Sequence, residues 1–522
     1  MIVGWRRIRE IATPHWRDFA CALDDPAAAQ RAQLATIIAA NETSRFGREH
    51  DFGAIGDPDA FRRNVPIRGY GGFAADIEAT ADGVTGILTG EPIVLFEQTG
   101  GSSSASKMIP YTAASLLAFQ RALYPWLADC LRGMPSIAQG RAYWALSPAV
   151  RRARHTKAGI PVGAESDALY FGTGASAFQE LSVAGMDVAC AEDFNGWRYL
   201  TALSLLRAED LALVSIWSPS FLFPILDTIE LRAGELLADI ARSPEGGRER
   251  ARRLEPLLGA GPLATDAIWP RLDTISCWTD ASAKPLADDL AQRFPHCRIQ
   301  GKGLLATEGA VTIPLSNFPY PVLALNSGFY EFIDADGQAL LCDQLVKEAE
   351  YRVVMTNHGG LYRYDTGDRV RMRGWARPGA PMLEFVGRAG VVSDICGEKL
   401  TGDFVESCLA DIPGFRMLIP SHGPTPQYLL VVDENSDAAK NRSGVAERID
   451  RDLAVNPQYL YARNLGQLGP IAVLPTRRPM DSYMRMAMAR GQRFGDIKPA
   501  ALSPDQSLLD GFDLNRTEGF AA

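Results

Sequence analysis

The sequence predicts an α/β protein in two parts, a large N-terminal domain of mixed sheets with helices plus a β-rich stretch, and a small C-terminal α+β domain. Three observations lead there. Between about residues 91 and 294, apolar strand-like runs alternate with helical segments. From Gly303 the texture turns β-rich, and after Gly397 a shorter strand–helix–strand pattern begins. The chain has 522 residues, too many for one compact core.

The elements follow in order. Residues 1 to about 85 read as helices with loops, and "AAAQRAQLATIIAANETSRFG" carries helical apolar spacing to an end near Gly47. "EPIVLFEQ", Glu91 to Gln98, is a strand; a Gly/Ser loop joins it to a helix over "TAASLLAFQRALYPWLADCLRG". "RAYWALS", "LALVSIWS" and "LDTISCW" read as strands. Between and after them come helices at "WRYLTALSLLRAED", at "PSFLFPILDTIELRAGELLADIARS" with Pro219 near its first turn, and at "KPLADDLAQRF". This alternation implies substantial parallel sheet. "LLATEGAVTIPL", "GFYEFID", "EYRVVMTN", "LYRYDTGDRVRMRGW" and "PMLEFVGRAG" form the β-rich part. "FRMLIPS", "QYLLVVDE" and "GPIAVLPT" are strands of the C-terminal unit, with a helix over "AAKNRSGVAERIDRDLAV".

Composition narrows the class. Hydrophobic residues are 47% and charged residues 22%, the balance of a folded globular protein. A net charge of −9 and a pI near 5.4 argue against a nucleic-acid or membrane-surface protein. The basic runs at Arg151 to Arg154 and Arg248 to Arg253 read as solvated faces. Eight cysteines without a C-x-x-C pair, and six scattered histidines, point to free thiols and to no zinc site. The N-terminus carries Arg6, Arg7, Arg9 and Glu10 with no continuous apolar run, so no signal peptide is expected. The longest apolar stretch, Tyr199 to Phe223, is interrupted by Arg207, Glu209 and Asp210, and the expected location is cytoplasmic.

Five segments can carry chemistry. The run Thr99, Gly100, Gly101, Ser102, Ser103, Ser104, Ala105, Ser106 and Lys107 has small residues that let a backbone approach a phosphate, hydroxyls that donate, and a cation; it is either a phosphate cradle or a surface turn. It is not a Walker A loop. In Ala306-Thr307-Glu308-Gly309, Glu308 is either a ligand for nucleotide-bound Mg²⁺ or an ordinary solvated or paired glutamate. In "GGLYRYDTGDRV", Asp368 either accepts from a ribose diol or belongs to a hairpin turn. Arg388 after Gly387 precedes a Gly-containing segment that suits a hinge. Lys498 lies in a polar tail where a lysine is ordinarily just exposed.

The order of these segments resembles the motif order of adenylate-forming enzymes. The wording "YEFID", "LYRYDTGD…PMLEFVGR…GEKL" is similar to the Gretchen Hagen (auxin-responsive) acyl-amido synthetase family, most specifically between Glu308 and Lys399. The resemblance implies an adenylation domain over residues 1–392 and a small mobile domain over 393–522. It implies ATP and Mg²⁺ as cofactors, with a carboxylic acid activated to an acyl-adenylate and passed to an amine, often an amino acid. It assigns the ATP phosphates to the loop ending at Lys107, the α-phosphate and Mg²⁺ to Thr307 and Glu308, the ribose to Asp368 with Arg388 beside it, and a catalytic bridge between acyl carboxylate and α-phosphate to Lys498. Ser104 and Ser106 stand where relatives carry glycine and proline, and Leu304 where an adenine-stacking aromatic is usual. An acyl-CoA ligase, an acyl-protein synthetase and a non-catalytic nucleotide-binding relative remain the alternatives. For the acyl pocket the candidates are Tyr199, Leu203, Ile216, Trp217, Phe221 and Phe329, which as apolar residues can equally be core.

Overall fold

The computed structural model describes residues 1–98, 107–144, 154–164, 167–185, 188, 191, 194–244, 246–259, 261–388, 390–393, 395, 398, 400–422, 426–464, 468–492, 494 and 497–512. At its centre is a four-stranded parallel sheet, ordered Arg141–Trp144, Leu211–Ser215, Thr274–Cys277, Arg298–Gly301. The middle strands are buried throughout, as helices on both faces require. Successive side chains take opposite faces. Ala142, Trp144 and Leu213 pack with Trp5 and Ile8 of the Val3–Asp24 helix and Leu127 of the Ala113–Gly133 helix. Tyr143, Val214 and Ile275 pack with Trp197, Ile225 and Leu290 from helices Phe194–Arg207, Phe223–Leu231 and Lys284–Arg293. Being parallel, the strands present their carboxyl ends, Trp144, Ser215, Cys277 and Gly301, along one edge. Ligands of open α/β sheets gather outside such an edge.

The β-rich part is a seven-stranded sheet with antiparallel neighbours, ordered Thr312–Ile313, Val322–Leu323, Ala380–Arg388, Tyr364–Arg377, Glu350–Thr356, Phe329–Ile333 and Ala339–Leu340. Burial alternates along Tyr364–Arg377. Tyr364, Thr366, Asp368, Val370 and Met372 turn inward. Arg369, Arg371 and Arg373 turn outward into an ion-pair ladder, with Arg371 Nη2 2.5 Å from Glu350 Oε1 and Arg373 Nε 2.7 Å from Glu384 Oε2. In the C-terminal part, Gln427–Asp433 pairs antiparallel with Arg416–Ser421 and parallel with Ala472–Thr476. Its apolar face does not stand apart: Phe415, Met417, Val431 and Phe494 share one core cluster with Trp197 and Phe221. Phe494 lies 4.9 Å, ring to ring, from each of those two. Arg369 also pairs with Asp403 of the Gly402–Cys408 helix, tying the seven-stranded sheet to the C-terminal part.

Several elements differ from expectation, each for a local reason. The helix expected to reach Gly47 ends at Asn41; Ser44 then caps a short second helix, Arg45–Glu49, accepting from Gly47 N–H at 2.9 Å. The long helix from Pro219 is a 3₁₀ turn, Pro219–Phe221, followed by helices Phe223–Leu231 and Ala233–Ala241. Pro224, not Pro219, sits in the first α-helical turn, because a proline deeper inside would remove a hydrogen bond and clash. The first expected strand shortens to Leu95–Gln98. The Gly/Ser loop joins strand to strand rather than strand to helix, since Met108–Tyr111 pairs back on Leu95–Gln98. "LLATEGAVTIPL" breaks into two-residue strands, and Thr307-Glu308 forms the turn of a small hairpin in which Ala306 pairs with Gly309. No helix among the described residues is long and apolar enough to cross a membrane.

Candidate functional site

The Met108–Tyr111 strand leads out of the Gly/Ser loop. Thr99, Gly100, Gly101, Ser102, Ser103, Ser104 and Ser106 lie outside the described residues. The loop's ends are set by the pairing of Gln98 with Met108. Met108 N–H donates to Tyr70 Oη at 3.0 Å, and Lys107 Nζ sits 5.5 Å from the centroid of the same ring. Three residues on, Tyr111 Oη donates to Thr307 O at 2.6 Å. This bond joins the loop's exit strand to the Ala306–Glu308 turn.

Glu308 is 6% exposed. Tyr364 Oη donates to its Oε1 at 3.0 Å, and Asn357 Nδ2 donates to its backbone O at 2.8 Å. No lysine or arginine among the described residues forms an ion pair with Glu308. A buried carboxylate with only a neutral phenol as side-chain partner suits a divalent cation. No cluster of three or more metal-ligating side chains occurs among the described residues.

Tyr364 begins the strand that carries Asp368, and the two turn inward on the same face. Gly367, between them, has φ +73°, which is why glycine stands there. Asp368 N–H donates to Thr366 Oγ1 at 3.0 Å. Asp368 also faces Arg388 across the antiparallel register. Arg388 is described by its backbone alone. Three residues before it, Phe385 N–H donates to Asp280 Oδ2 at 3.4 Å. Lys498 reaches this place from the C-terminal part, its Nζ 3.3 Å from the ring centroid of Trp278 and 6.0 Å from that of Phe385. Thus the loop flank, Thr307, Glu308, Asp368, Arg388 and Lys498 are linked through Tyr111, Tyr364 and the Ala380–Arg388 strand.

The acyl candidates divide. Leu203, Ile216 and Phe221 are buried in the core between the parallel sheet and its helices. Tyr199 donates to Asp239 Oδ2 at 2.7 Å and lies beneath Arg232, its hydroxyl and ring face both engaged. Phe329 belongs to a different core, edge-on to Phe61 with ring centroids 6.0 Å apart. Trp217 alone of the six follows a strand's carboxyl end and stays partly open, 5.8 Å from Trp278. Leu304 is packed in the β-rich core, so it offers no face to a base.

Sequence reasoning overlooked Trp278, Lys302, Arg121 and His358. The first two directly follow strand ends, a positional signal that could have found them. His358 is 7% exposed, its Nε2 has no hydrogen-bond partner among the described residues, and its backbone O accepts from Thr112 Oγ1 at 3.1 Å. Burial, with Arg121 second, lowers its pKa from 6.5 to about 4. The unfolded chain therefore binds the extra proton first as pH falls. The stability contributed by neutral His358 is complete above pH 6.5 and is lost toward pH 4, by about 3 kcal/mol at most. Urea midpoints across that range should fall, and His358→Gln should flatten the acid limb.

Comparison with known proteins gives two family-model matches: "GH3 family N-terminal domain" over residues 16–299 and "GH3 family central domain" over residues 321–388. The chain is 23% identical to "Probable indole-3-acetic acid-amido synthetase GH3.12" of Oryza sativa subsp. japonica, covering 92% of each chain. In structure it resembles "GH3.15 acyl acid amido synthetase", with a TM-score of 0.82, 18% identity and 95% of both chains covered. A 2-hydroxyisobutyryl-CoA ligase in the postadenylation state shares the fold more loosely, with a TM-score of 0.53, 14% identity and 93% of this chain and 92% of that one covered.

Proposed function

This chain belongs to the GH3 family, and on that premise we propose that it is an AMP-forming acyl-acid amido synthetase. In this reading a carboxylate oxygen of the acid attacks the α-phosphorus of ATP and pyrophosphate leaves. An amine nitrogen, of an amino acid or a related acceptor, then attacks the acyl carbon; AMP leaves and the nitrogen loses its proton. The observation that carries the reading is the link from Glu308 through Tyr364 to the inward face that bears Asp368.

Asp368 would accept from the ribose hydroxyls, with Arg388 beside it. Thr99 to Lys107 would receive the phosphates through backbone N–H groups, hydroxyls and one ammonium. Ala306, Thr307 and Glu308 would line the α-phosphate side, and Glu308 would hold Mg²⁺, which when bound spreads the negative charge of the phosphoryl oxygens. Lys498 would donate to the acyl carboxylate and α-phosphate as charge builds between them. Trp217 and Trp278 would flank the acid. An unprotonated amine needs no covalent relay from the protein. For the second step the unit 393–522 would turn about the segment after Arg388, taking Lys498 away and opening a path for the amine. The negative net charge and the small-molecule chemistry suit a cytoplasmic enzyme without nucleic-acid partners.

The test is acid-dependent ATP–pyrophosphate exchange over aryl, indolyl, jasmonate-like and fatty acids, followed by product mass spectrometry with an amino-acid pool. Exchange with amide formation is the expected result. AMP release with coenzyme A, but not with amino acids, would replace the acceptor, and ATP binding without turnover would leave only a nucleotide-binding relative. Lys498→Ala should lower exchange by about 10²-fold or more, since one charge-stabilising donor is removed. Unchanged exchange would remove Lys498 from the mechanism.

A further inference from the structure

At the carboxyl edge of the parallel sheet stands a cation with no carboxylate partner among the described residues. Lys302 immediately follows the Arg298–Gly301 strand, and its backbone N–H donates to Cys277 O at 2.9 Å. Its Nζ donates to Ser215 Oγ at 2.7 Å. The same Nζ lies 5.0 Å from the ring centroid of Trp126 and 5.4 Å from that of Trp217. Among the described residues no carboxylate pairs with it; its titratable neighbours are the thiols of Cys277 and Cys130, which burial pushes up to about 12 and so keeps neutral. Trp126 is fixed by its own Nε1–H, which donates to Gln300 Oε1 at 2.9 Å. Lys302 as a whole residue is partly exposed, while its ammonium lies deep enough for burial to act on it.

Trp217 leans on Trp278 with centroids 5.8 Å apart, and Trp278 carries Lys498 Nζ at 3.3 Å. Two ammonium groups therefore mark the two ends of a wall of indole rings. Lys498 is at the end shared with the strand leading to Arg388, and Lys302 is at the other. An ammonium has three N–H donors, and Ser215 takes one. Facing aromatic rings attract the cation but do not neutralise it. A desolvated charge gains most from an anion that also accepts its free donors.

We propose that Lys302 and Ser215 form a binding site for a second carboxylate of the acid, so that the substrate class is a flat dicarboxylic acid, adenylated at one end and held at Lys302 by the other. This rests on the adenylation reading above. The indole walls select a planar body, and a neutral tail would leave the ammonium without its counter-charge. Burial lowers the Lys302 pKa to about 8, so the site is cationic at neutral pH and loses its charge as pH rises through that value.

The experiment compares wild type, Lys302→Met, Lys302→Arg and Ser215→Ala. The acids are benzene-1,3- and benzene-1,4-dicarboxylate, naphthalene-2,6-dicarboxylate, the monomethyl ester of each, and benzoate. Exchange kinetics and direct calorimetric binding are both recorded. In wild type at pH 7 at least one diacid should exceed its monoester by about tenfold or more in kcat/KM and in affinity, the worth of one charged hydrogen-bonded contact. Lys302→Met should bring that ratio near one or invert it, Lys302→Arg should retain it, Ser215→Ala should reduce it, and in wild type it should shrink above pH 8. Wild type that handles monoesters as well as every diacid overturns the site, as does a Lys302→Met protein that keeps the preference. If Lys302→Met does not fold, Ser215→Ala and the wild-type pH profile decide by the same ratio. If no acid supports exchange, the adenylation reading fails; calorimetry then decides the site alone, with a preferential diacid lost on removing Lys302 supporting it and no preference overturning it.

Discussion

Glu308→Gln should lower acid-dependent ATP–pyrophosphate exchange by about 10²–10³-fold while leaving thermal stability close to wild type. Glutamine keeps an oxygen that can accept from Tyr364 Oη, so the 3.0 Å bond and the turn it steadies survive. What disappears is the negative charge, which sits buried with no cationic side chain paired to it among the described residues. Taking an unpaired buried carboxylate away does not weaken the fold, because its desolvation was a cost. On the proposed reading a metal ion would lose a ligand, and the phosphoryl charge would lose that ion. Steady-state exchange against Mg²⁺ concentration, with melting temperature measured alongside, separates the two effects. If exchange survives with an unaltered Mg²⁺ dependence, Glu308 does not hold the metal.

The second large effect lies out of reach of any substrate. Glu331→Ala should destabilise the protein by about 3–5 kcal/mol, the cost of breaking a buried ion pair by removing one partner. Glu331 is 1% exposed and holds two guanidinium groups, Arg62 Nε at 2.9 Å and Arg363 Nε at 2.8 Å. Arg363 Nη1 also donates to Val65 O at 2.8 Å and to Arg62 O at 3.1 Å. Arg363 has φ +46°, a left-handed conformation that an arginine keeps only when its surroundings enforce it. This cluster anchors the residue just before Tyr364, so its loss should also disturb Glu308 and Asp368. Urea denaturation should show the lower midpoint in Glu331→Ala and again in Arg363→Ala. The exposed Arg7–Glu180 pair provides the contrast, and breaking it should leave the midpoint unmoved.

Much of the architecture was legible in the residues. The strands "RAYW", "LALVS" and "TISC", set between helical segments, announce a parallel sheet through that alternation. The alternation along "YDTGDRVRMRGW" announces a strand with one face in a core. Motif order alone brought Glu308, Asp368, Arg388 and Lys498 forward as partners. Partnerships set by tertiary contact were not legible. Nothing near Trp278 or Lys302 says that either will meet a side chain far along the chain, and six apolar acyl candidates could not be told from core without knowing which end of each strand they occupy. The broken helix after Pro219 was missed because its apolar pattern continues across the break at Arg232. The apolar seam of the C-terminal part was also missed, because a strand such as "FRMLIPS" reads the same whether its outer face meets water or a neighbour.

The Tyr364–Arg377 strand alternates between two trades, inward-facing residues including Asp368 on one side and the arginines that hold Glu350 and Asp403 on the other. Side chains on a strand change sides with every residue. Adding or deleting one residue within it would exchange the two sets, turning Asp368 to the outside and Arg369 toward the core. Its length is therefore held constant by two unrelated requirements at once. Insertions should be borne more easily in the turns at the strand's ends than between Tyr364 and Arg369.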